Sequence, residues 1–521
     1  MKVDADGGSS NEPFAVVHET HSAVLFLVGD RAYKLKKPVD LGFLNFTSRE
    51  QRLAVCRREV ELNRRIAADV YLGVADVHGP DGAPCEHLVV MRRMPVHLRL
   101  ASLIRAGASV DDDVRRLARL VAAFHAAGRH GPDISAQGSA EALLGRWTDS
   151  FHQVRPYRKS VLDDEVAGEI EQRTADFVAG RRRLLDDRVK AGRIVDGHGD
   201  LLADDIFCLD DGPRVLDCIE FDDRLRWLDG LDDAAFLAMD LERLGAATLG
   251  ARFLDWYAEF AADPAPASLR HHYIAYRAFV RAKVACLRHT QGDPQAAVDV
   301  AQHADLALSH LRTGTVSLVL VGGMPGTGKT TLAGRLADHL GAVMLSTDRV
   351  RKELAGLSPE TSAAAPYETG IYTPAWTQRT YTQLLSRAGA LLERGESVIL
   401  DASWADAAHR AAAADIAACS RSACIQLRCD AAPEVTTARL RRRTHTISDA
   451  DEHIAAAVGA HHDPWPQAAT IRTDEIPDQS LERAVRLTLP AGVLTSDDGA
   501  GPTPVAPWDG LSGAARPSDS R

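Results

Sequence analysis

Long apolar runs are missing from this chain. No stretch of about 18 apolar residues occurs, the length that crosses a bilayer as a helix, so no membrane span is expected. Paired cysteines are missing too. The eight cysteines, at 56, 85, 208, 218, 286, 419, 424 and 429, form no C-x-x-C pair, which argues against a zinc site and fits the reduced thiols of a cytosolic protein. The opening residues MKVDADGGSSNEP are acidic and polar, without the basic start and apolar run of a signal peptide. A cytoplasmic protein is therefore expected. An excess of positive charge is lacking as well. With 61 Lys and Arg against 72 Asp and Glu, the formal net charge is −11, which argues against a general nucleic-acid binder while leaving room for a local basic groove. No internal repeat is found.

What is present is length and ordinary globular chemistry. The chain has 521 residues, 45% hydrophobic and 26% charged, enough for about three compact units or two larger ones at roughly 100–200 residues each. Residues 1–12 and 494–521 are rich in Gly, Pro, Ser and Asp, and disorder is predicted at both ends. Two blocks lie between. The first, 13–310, opens with the strand-like pieces SAVLFLVGD and RAYKLKKPV, with GD as a hairpin turn. The helix REQRLAVCRREVELNRRIA and the strand HLVVMRRM follow. From about residue 110 the pattern is helical, interrupted by a β-rich stretch at 195–222. This predicts a small sheet-containing lobe before a large helical one. In the second block, 316–490, short apolar runs (SLVLVGG, AVMLSTD, ESVILDASW, ACIQLRCDA) alternate with helical patterns, the signature of a parallel sheet covered on both faces.

The sharpest motif opens the second block. In GGMPGTGKTTLA, residues Gly323, Gly328, Lys329 and Thr330 fit G-x-x-x-x-G-K-[ST] between a strand and a helix. Glycines, Gly326 included, let backbone N–H groups turn toward phosphate oxygens, and the helix points its positive end at the same anion. The loop Gly323–Thr331 is thus the candidate ATP cradle, with Lys329 on the β and γ phosphates, Thr330 a ligand to Mg²⁺ and Thr331 following it. Asp401 ends the strand SVILD, where it either supports the Mg²⁺ site beside Thr330 or caps the next helix. Asp348, in LSTDRVRKEL, sits at a strand's C-terminal edge, as a proton acceptor for a substrate hydroxyl or as a helix N-cap. Arg439, Arg442 and Arg443 form a basic cluster that closes over phosphates or is a solvated face. With STDRVRKEL, VILDASW and RLRRR…SDA, these motifs resemble the small P-loop kinases of the AAA_33, zeta-toxin-like group over about residues 316–480. The resemblance implies a kinase acting on small molecules.

A second constellation lies in the first block. VDGHGDLLADDIF carries Asp200 and, five residues later, Asp205; VLDCIEFDD then brings Glu220 at a strand end. A phosphotransfer site needs one carboxylate for the attacking hydroxyl and others for Mg²⁺; Asp200, Asp205 and Glu220 have that order, with Asp217 and Asp222 as alternative metal ligands. Lys34 and Lys36 project to one face of a strand. Lys34 is the candidate phosphate lysine and Glu59 its partner, with Lys36 or Glu61 as alternatives. HLVVMRRMP, around Met91–Met94, is the candidate hinge that holds adenine. These residues resemble the aminoglycoside phosphotransferase family over roughly 15–300, which implies a protein-kinase-like fold. The family pattern H-G-D-x-x-x-x-N and its later Asp are replaced here by Asp205 and Glu220, and no G-x-G-x-x-G loop is present; the turn THSAV stands in its place.

The expectation is an α/β and α+β protein of two domains, a bilobal kinase-like unit and a P-loop unit. It uses ATP and Mg²⁺ on a small-molecule hydroxyl, an amino sugar or aminoglycoside among the candidates. Asp229, Asp232 and Asp233 either attract such a cation, or Asp229 and Asp233 brace the loop and cap the following helix. Arg277, Arg281 and Lys283 either bind an anion or form a plain helix face. The competing reading is a nucleotide sensor, with a pseudokinase first domain switched by ATP hydrolysis in the second. A DNA-associated ATPase fits the charge poorly. Sequence leaves the oligomeric state open.

Overall fold

The computed structural model describes residues 14–20, 22–40, 45–358, 361, 369–442 and 462–488. The first lobe is an antiparallel sheet of β1 (Ala15–Glu19), β2 (Ala23–Val28), β3 (Arg31–Lys36), β4 (Tyr71–His78) and β5 (Pro84–Arg92), ordered β1-β2-β3-β5-β4. The Gly29-Asp30 turn joins β2 to β3, with Gly29 at φ 57°, in the left-handed region that favours glycine. Between β3 and β4 runs the helix Arg49–Asn63. It starts at a reciprocal cap, Ser48 accepting from the Gln51 backbone and Gln51 from that of Ser48.

The second lobe is helical. The helices Asp111–Ala126, Ala140–Val154, Gly230–Arg243 and Ala267–Thr290 bury Trp147, Leu237 and Phe279 in one continuous core. Two short ribbons lie on the side facing the sheet: β6 (Ile194–Asp196) with β9 (Trp227–Asp229), and β7 (Ile206–Leu209) with β8 (Gly212–Val215). The loops joining them hold the acidic constellation.

The last part is a parallel sheet of β10 (Ser317–Gly322), β11 (Val343–Ser346), β12 (Val398–Asp401), β13 (Ala423–Asp430) and β14 (Ala469–Arg472), ordered β11-β12-β10-β13-β14. Side-chain alternation along β10 explains why it reads as an unbroken apolar run. Leu318 and Leu320 face one covering layer, Val319 and Val321 the other, and all four are buried. The P-loop leaves the C-terminal end of this central strand, where open parallel sheets bind ligands. The protein thus combines a bilobal kinase-like unit with a P-loop α/β unit. Among the described residues no helix is long and apolar enough to cross a membrane.

Candidate functional site

Three distant segments meet at the cleft between the first two lobes. The Lys34 ammonium lies 3.0 Å from Glu59 Oε1 and also pairs with Asp217, 183 residues away in sequence. Lys36, two residues on and on the same face, sits 2.6 Å from Glu59 Oε2 and 2.5 Å from Glu220 Oε1. Glu59 is fully buried. Burial works against its charge, yet Lys34 and Lys36 outweigh it and hold the carboxyl below its usual range. Asp217 has a φ of 66°, a left-handed conformation unusual outside glycine, and its N–H donates to the Tyr71 hydroxyl at 3.1 Å. Desolvation opposes its charge, but the lysines hold it down at about 2.

Asp200 follows a tightly tied loop. Asp233 accepts from the N–H groups of His198 (2.6 Å) and Gly199 (2.9 Å), and receives His125 at 2.9 Å. His198 Nε2 meets the Leu216 carbonyl at 3.0 Å, so the imidazole is protonated there and its Nδ1 accepts the Asp200 N–H. Desolvation lifts Asp200 to about 6, against the opposing pull of Arg281. Asp205 is raised well above the usual range by desolvation and then by Asp217 and Asp200. A cleft of mutually repelling carboxyls suits a cation. Among the described residues no group of three or more His, Cys, Asp or Glu is placed to hold a metal ion.

The sequence-derived residues are therefore distributed unevenly. Lys34, Glu59, Asp200 and Asp205 come together with Asp217. Glu220, expected among the metal ligands, forms an ion pair with Lys36 at 2.5 Å, and β8 ends before it. Lys36, the alternative phosphate lysine, stands in the same framework; Tyr71 was missed, and no sequence signal pointed to it. Near Met91–Met94 the N–H groups of Arg92 and Arg93 already donate to Val70 and Asp30 carbonyls. In the THSAV turn, Thr20 pairs with Ala23; His21 lies outside the described residues. Asp229 is spent on Arg188 and on capping the helix Gly230–Arg243, and Asp232 on Arg277 at 2.7 Å.

The second site is built from backbone. Gly323, Gly326 and Gly328 adopt φ of 139°, 86° and 81°, a backbone that favours glycine, and the Gly323 N–H donates to the Ser403 carbonyl at 3.3 Å. A Cβ at Gly326 would lie 2.9 Å from the Thr436 carbonyl. Lys329, Thr330 and Thr331 form the first turn of the helix Lys329–Leu340. The Thr330 hydroxyl donates to Asp401 Oδ2 at 2.8 Å, and the buried Asp401 Oδ1 has no hydrogen-bond partner. Burial raises Asp401, with Lys329 pulling the other way. An orphaned carboxylate oxygen beside a threonine hydroxyl fits Mg²⁺ at this position. Asp348 lies in the first turn of the helix Thr347–Leu354, 3.3 Å from Arg351; the N-cap position is Ser346, without a side-chain cap bond. Arg439 reaches over the loop, donating to the Thr473 carbonyl at 2.6 Å, and comes 3.5 Å from that of Gly326. Arg443 lies outside the described residues.

Over 478 residues, 92% of this chain and 96% of each relative, the sequence is 45% identical to proteins of Mycobacterium tuberculosis and Mycobacterium bovis that are named only as uncharacterized. The chain belongs to their family. Residues 318–464 match the family model of an AAA domain, AAA_33. Among solved structures, a choline/ethanolamine kinase family protein from Mesorhizobium loti is 12% identical and covers 58% of this chain and 94% of its own, with a TM-score of 0.36. An aminoglycoside phosphotransferase, APH(2")-IIIa with GDP and kanamycin, is 16% identical over 58% of this chain and 95% of its own, TM-score 0.38. The APS kinase CysC of Mycobacterium tuberculosis, bound to AMPPNP and APS, is 18% identical over 33% of this chain and 97% of its own, TM-score 0.26.

Proposed function

We propose that this family member is an ATP-dependent small-molecule phosphotransferase with two nucleotide sites. The observation that carries the reading is the convergence of Lys34, Glu59, Asp217, Asp200 and Asp205 on one cleft, from segments far apart in sequence. Lys34, fixed by Glu59, binds ATP phosphates. Asp217 and Asp205 are the Mg²⁺ ligands on this reading, and Glu220 positions Lys36. Bound Mg²⁺ neutralises charge on the transferring phosphoryl group.

Asp200 orients the acceptor hydroxyl and takes its proton. The acceptor oxygen bonds to the γ-phosphorus, the bond to the β–γ bridging oxygen breaks, and ADP leaves with that electron pair. In the second site Gly323–Thr331 cradles ATP, Thr330 and Asp401 hold Mg²⁺, Arg439 steadies phosphates, and Asp348 faces its acceptor.

Charge bears on the acceptor class. The acidic residues able to draw an aminoglycoside are consumed internally: Asp229 by Arg188, Asp232 by Arg277, Asp233 by the loop. Arg281 is the cation acting most strongly on Asp200. This favours an acceptor that bears an anionic group over a polycationic amino sugar. The test is transfer of labelled γ-phosphate to sugar phosphates, hydroxy acids and aminoglycosides. Label on an anionic acceptor, lost in Asp200→Asn, supports the reading. Label on aminoglycosides alone overturns the acceptor assignment. Phosphate release through Lys329 with no labelled acceptor would favour the nucleotide sensor.

A further inference from the structure

A cleft of about 380 Å³ lies away from both candidate sites, where the helical lobe meets the parallel-sheet unit. Phe177, Arg181 and His272 line it from one side, Ser422 and Ala423 at the start of β13 from the other. The two units approach closely here. A Cβ at Gly180 would lie 2.2 Å from the Ser420 carbonyl, and the Ser268 hydroxyl donates to the Gly395 carbonyl at 2.7 Å.

Arg181 is 1% exposed, and among the described residues its hydrogen-bond partners include no carboxylate. Its Nη1 donates to the carbonyls of Gly180 (2.9 Å) and Ser420 (2.5 Å), and its Nη2 to the Ser422 hydroxyl at 3.0 Å. All three partners are neutral, and its buried Nε–H has none. Burial of this guanidinium draws its pKa down to about 10, against the weaker pull of the Glu393 carboxylate.

His272 presents a second orphan. The Trp147 indole N–H, which can only donate, meets His272 Nε2 at 3.2 Å. Burial holds the imidazole neutral, at about 3. Its proton therefore sits on Nδ1, a buried donor without a partner. The ring is fixed by stacking on Phe177, centroids 4.1 Å apart and 11° from parallel. Arg421, Asp176 and Arg173, the last ion-paired with Glu169 at 2.6 Å, line the same cleft.

We propose that this cleft binds a small organic oxyanion, a phosphate or carboxylate group set against Arg181 Nε–H and His272 Nδ1–H, and that the bound molecule fastens the two units together. A ligand touching both units binds only their packed arrangement and favours it by its own binding energy. Two buried donors, one of them charged, in a cleft rich in guanidinium groups are what such a ligand satisfies.

The test uses the full chain saturated with Mg²⁺ and a non-hydrolysable ATP analogue, so that both nucleotide sites are filled. Inorganic phosphate and acetate are titrated by calorimetry, and the ¹⁵N resonance of His272 Nδ1 is followed in parallel. We expect one of the two anions to bind and to move that resonance, with affinity at least tenfold weaker, about 1.4 kcal/mol, in Arg181→Met and in His272→Gln. Gln keeps an acceptor for Trp147, so the second variant reads the site even if the first fails to fold. Whichever anion binds more tightly identifies the acid group. Binding of neither, or equal binding in wild type and His272→Gln with an unmoved resonance, overturns the proposal.

Discussion

On the proposed reading, the two candidate sites handle phosphate by opposite means. The P-loop presents backbone: three glycines with positive φ, one helix N-terminus, and a lysine and threonine adjacent in sequence. The interlobe cleft presents side chains: two lysines on β3, a buried glutamate on a helix and three aspartates beyond residue 199. A backbone site is sensitive to added atoms. A side-chain site is sensitive to removed charge.

The largest expected effect tests the cleft. Asp200→Asn should lower acceptor phosphorylation by on the order of 10²–10⁴-fold, measured as labelled product, while nucleotide binding at Lys329 is unchanged. Equal loss at both sites would erase the distinction between them. Glu59→Gln removes the shared partner of Lys34 and Lys36. Breaking a buried pair costs about 3–5 kcal/mol, so denaturant unfolding should move the first lobe and leave the P-loop unit in place.

In the second site, Lys329→Ala should lower its turnover by on the order of 10²–10³-fold, with Asp200-dependent transfer intact. Gly326→Ala adds only a methyl, yet φ is 86° and the new carbon meets the Thr436 carbonyl at 2.9 Å. A strained residue of this kind costs about 1–3 kcal/mol, and we expect ATP affinity at that site to fall accordingly. An unchanged affinity would mean that the loop yields more easily than its packing implies.

The smallest effect is on pH dependence. Burial lowers His271 and His272 to about 3 and His303 to about 4, from 6.5. Each takes up a proton on unfolding, so their stabilising effect stands above about pH 6.5 and is lost as pH falls toward 4. Thermal melting of the helical lobe should therefore drop between pH 7 and pH 5, and less so in His272→Gln.

This contrast also explains what the sequence could tell. The P-loop was legible because its phosphate ligands are consecutive backbone groups, which a short motif specifies. The apolar runs of β10 and β12 were legible for a similar reason: burial on both faces removes any need for polar alternation. Asp200 stood out by its HGD context. What the sequence did not show is that Asp217 stands beside Lys34 while Glu220 pairs with Lys36. That choice depends on a left-handed turn at Asp217 and on its N–H meeting Tyr71, 146 residues earlier. The orphaned donors of Arg181 and His272 were likewise invisible, since they arise where segments far apart in sequence meet.

The claim that both sites bind nucleotide is tested most directly by the stoichiometry of a non-hydrolysable ATP analogue with Mg²⁺, read by calorimetry on the full chain. The expected result is two molecules per chain in wild type, one in Lys34→Ala and one in Lys329→Ala. A single molecule in wild type, retained in Lys34→Ala and lost in Lys329→Ala, would contradict it.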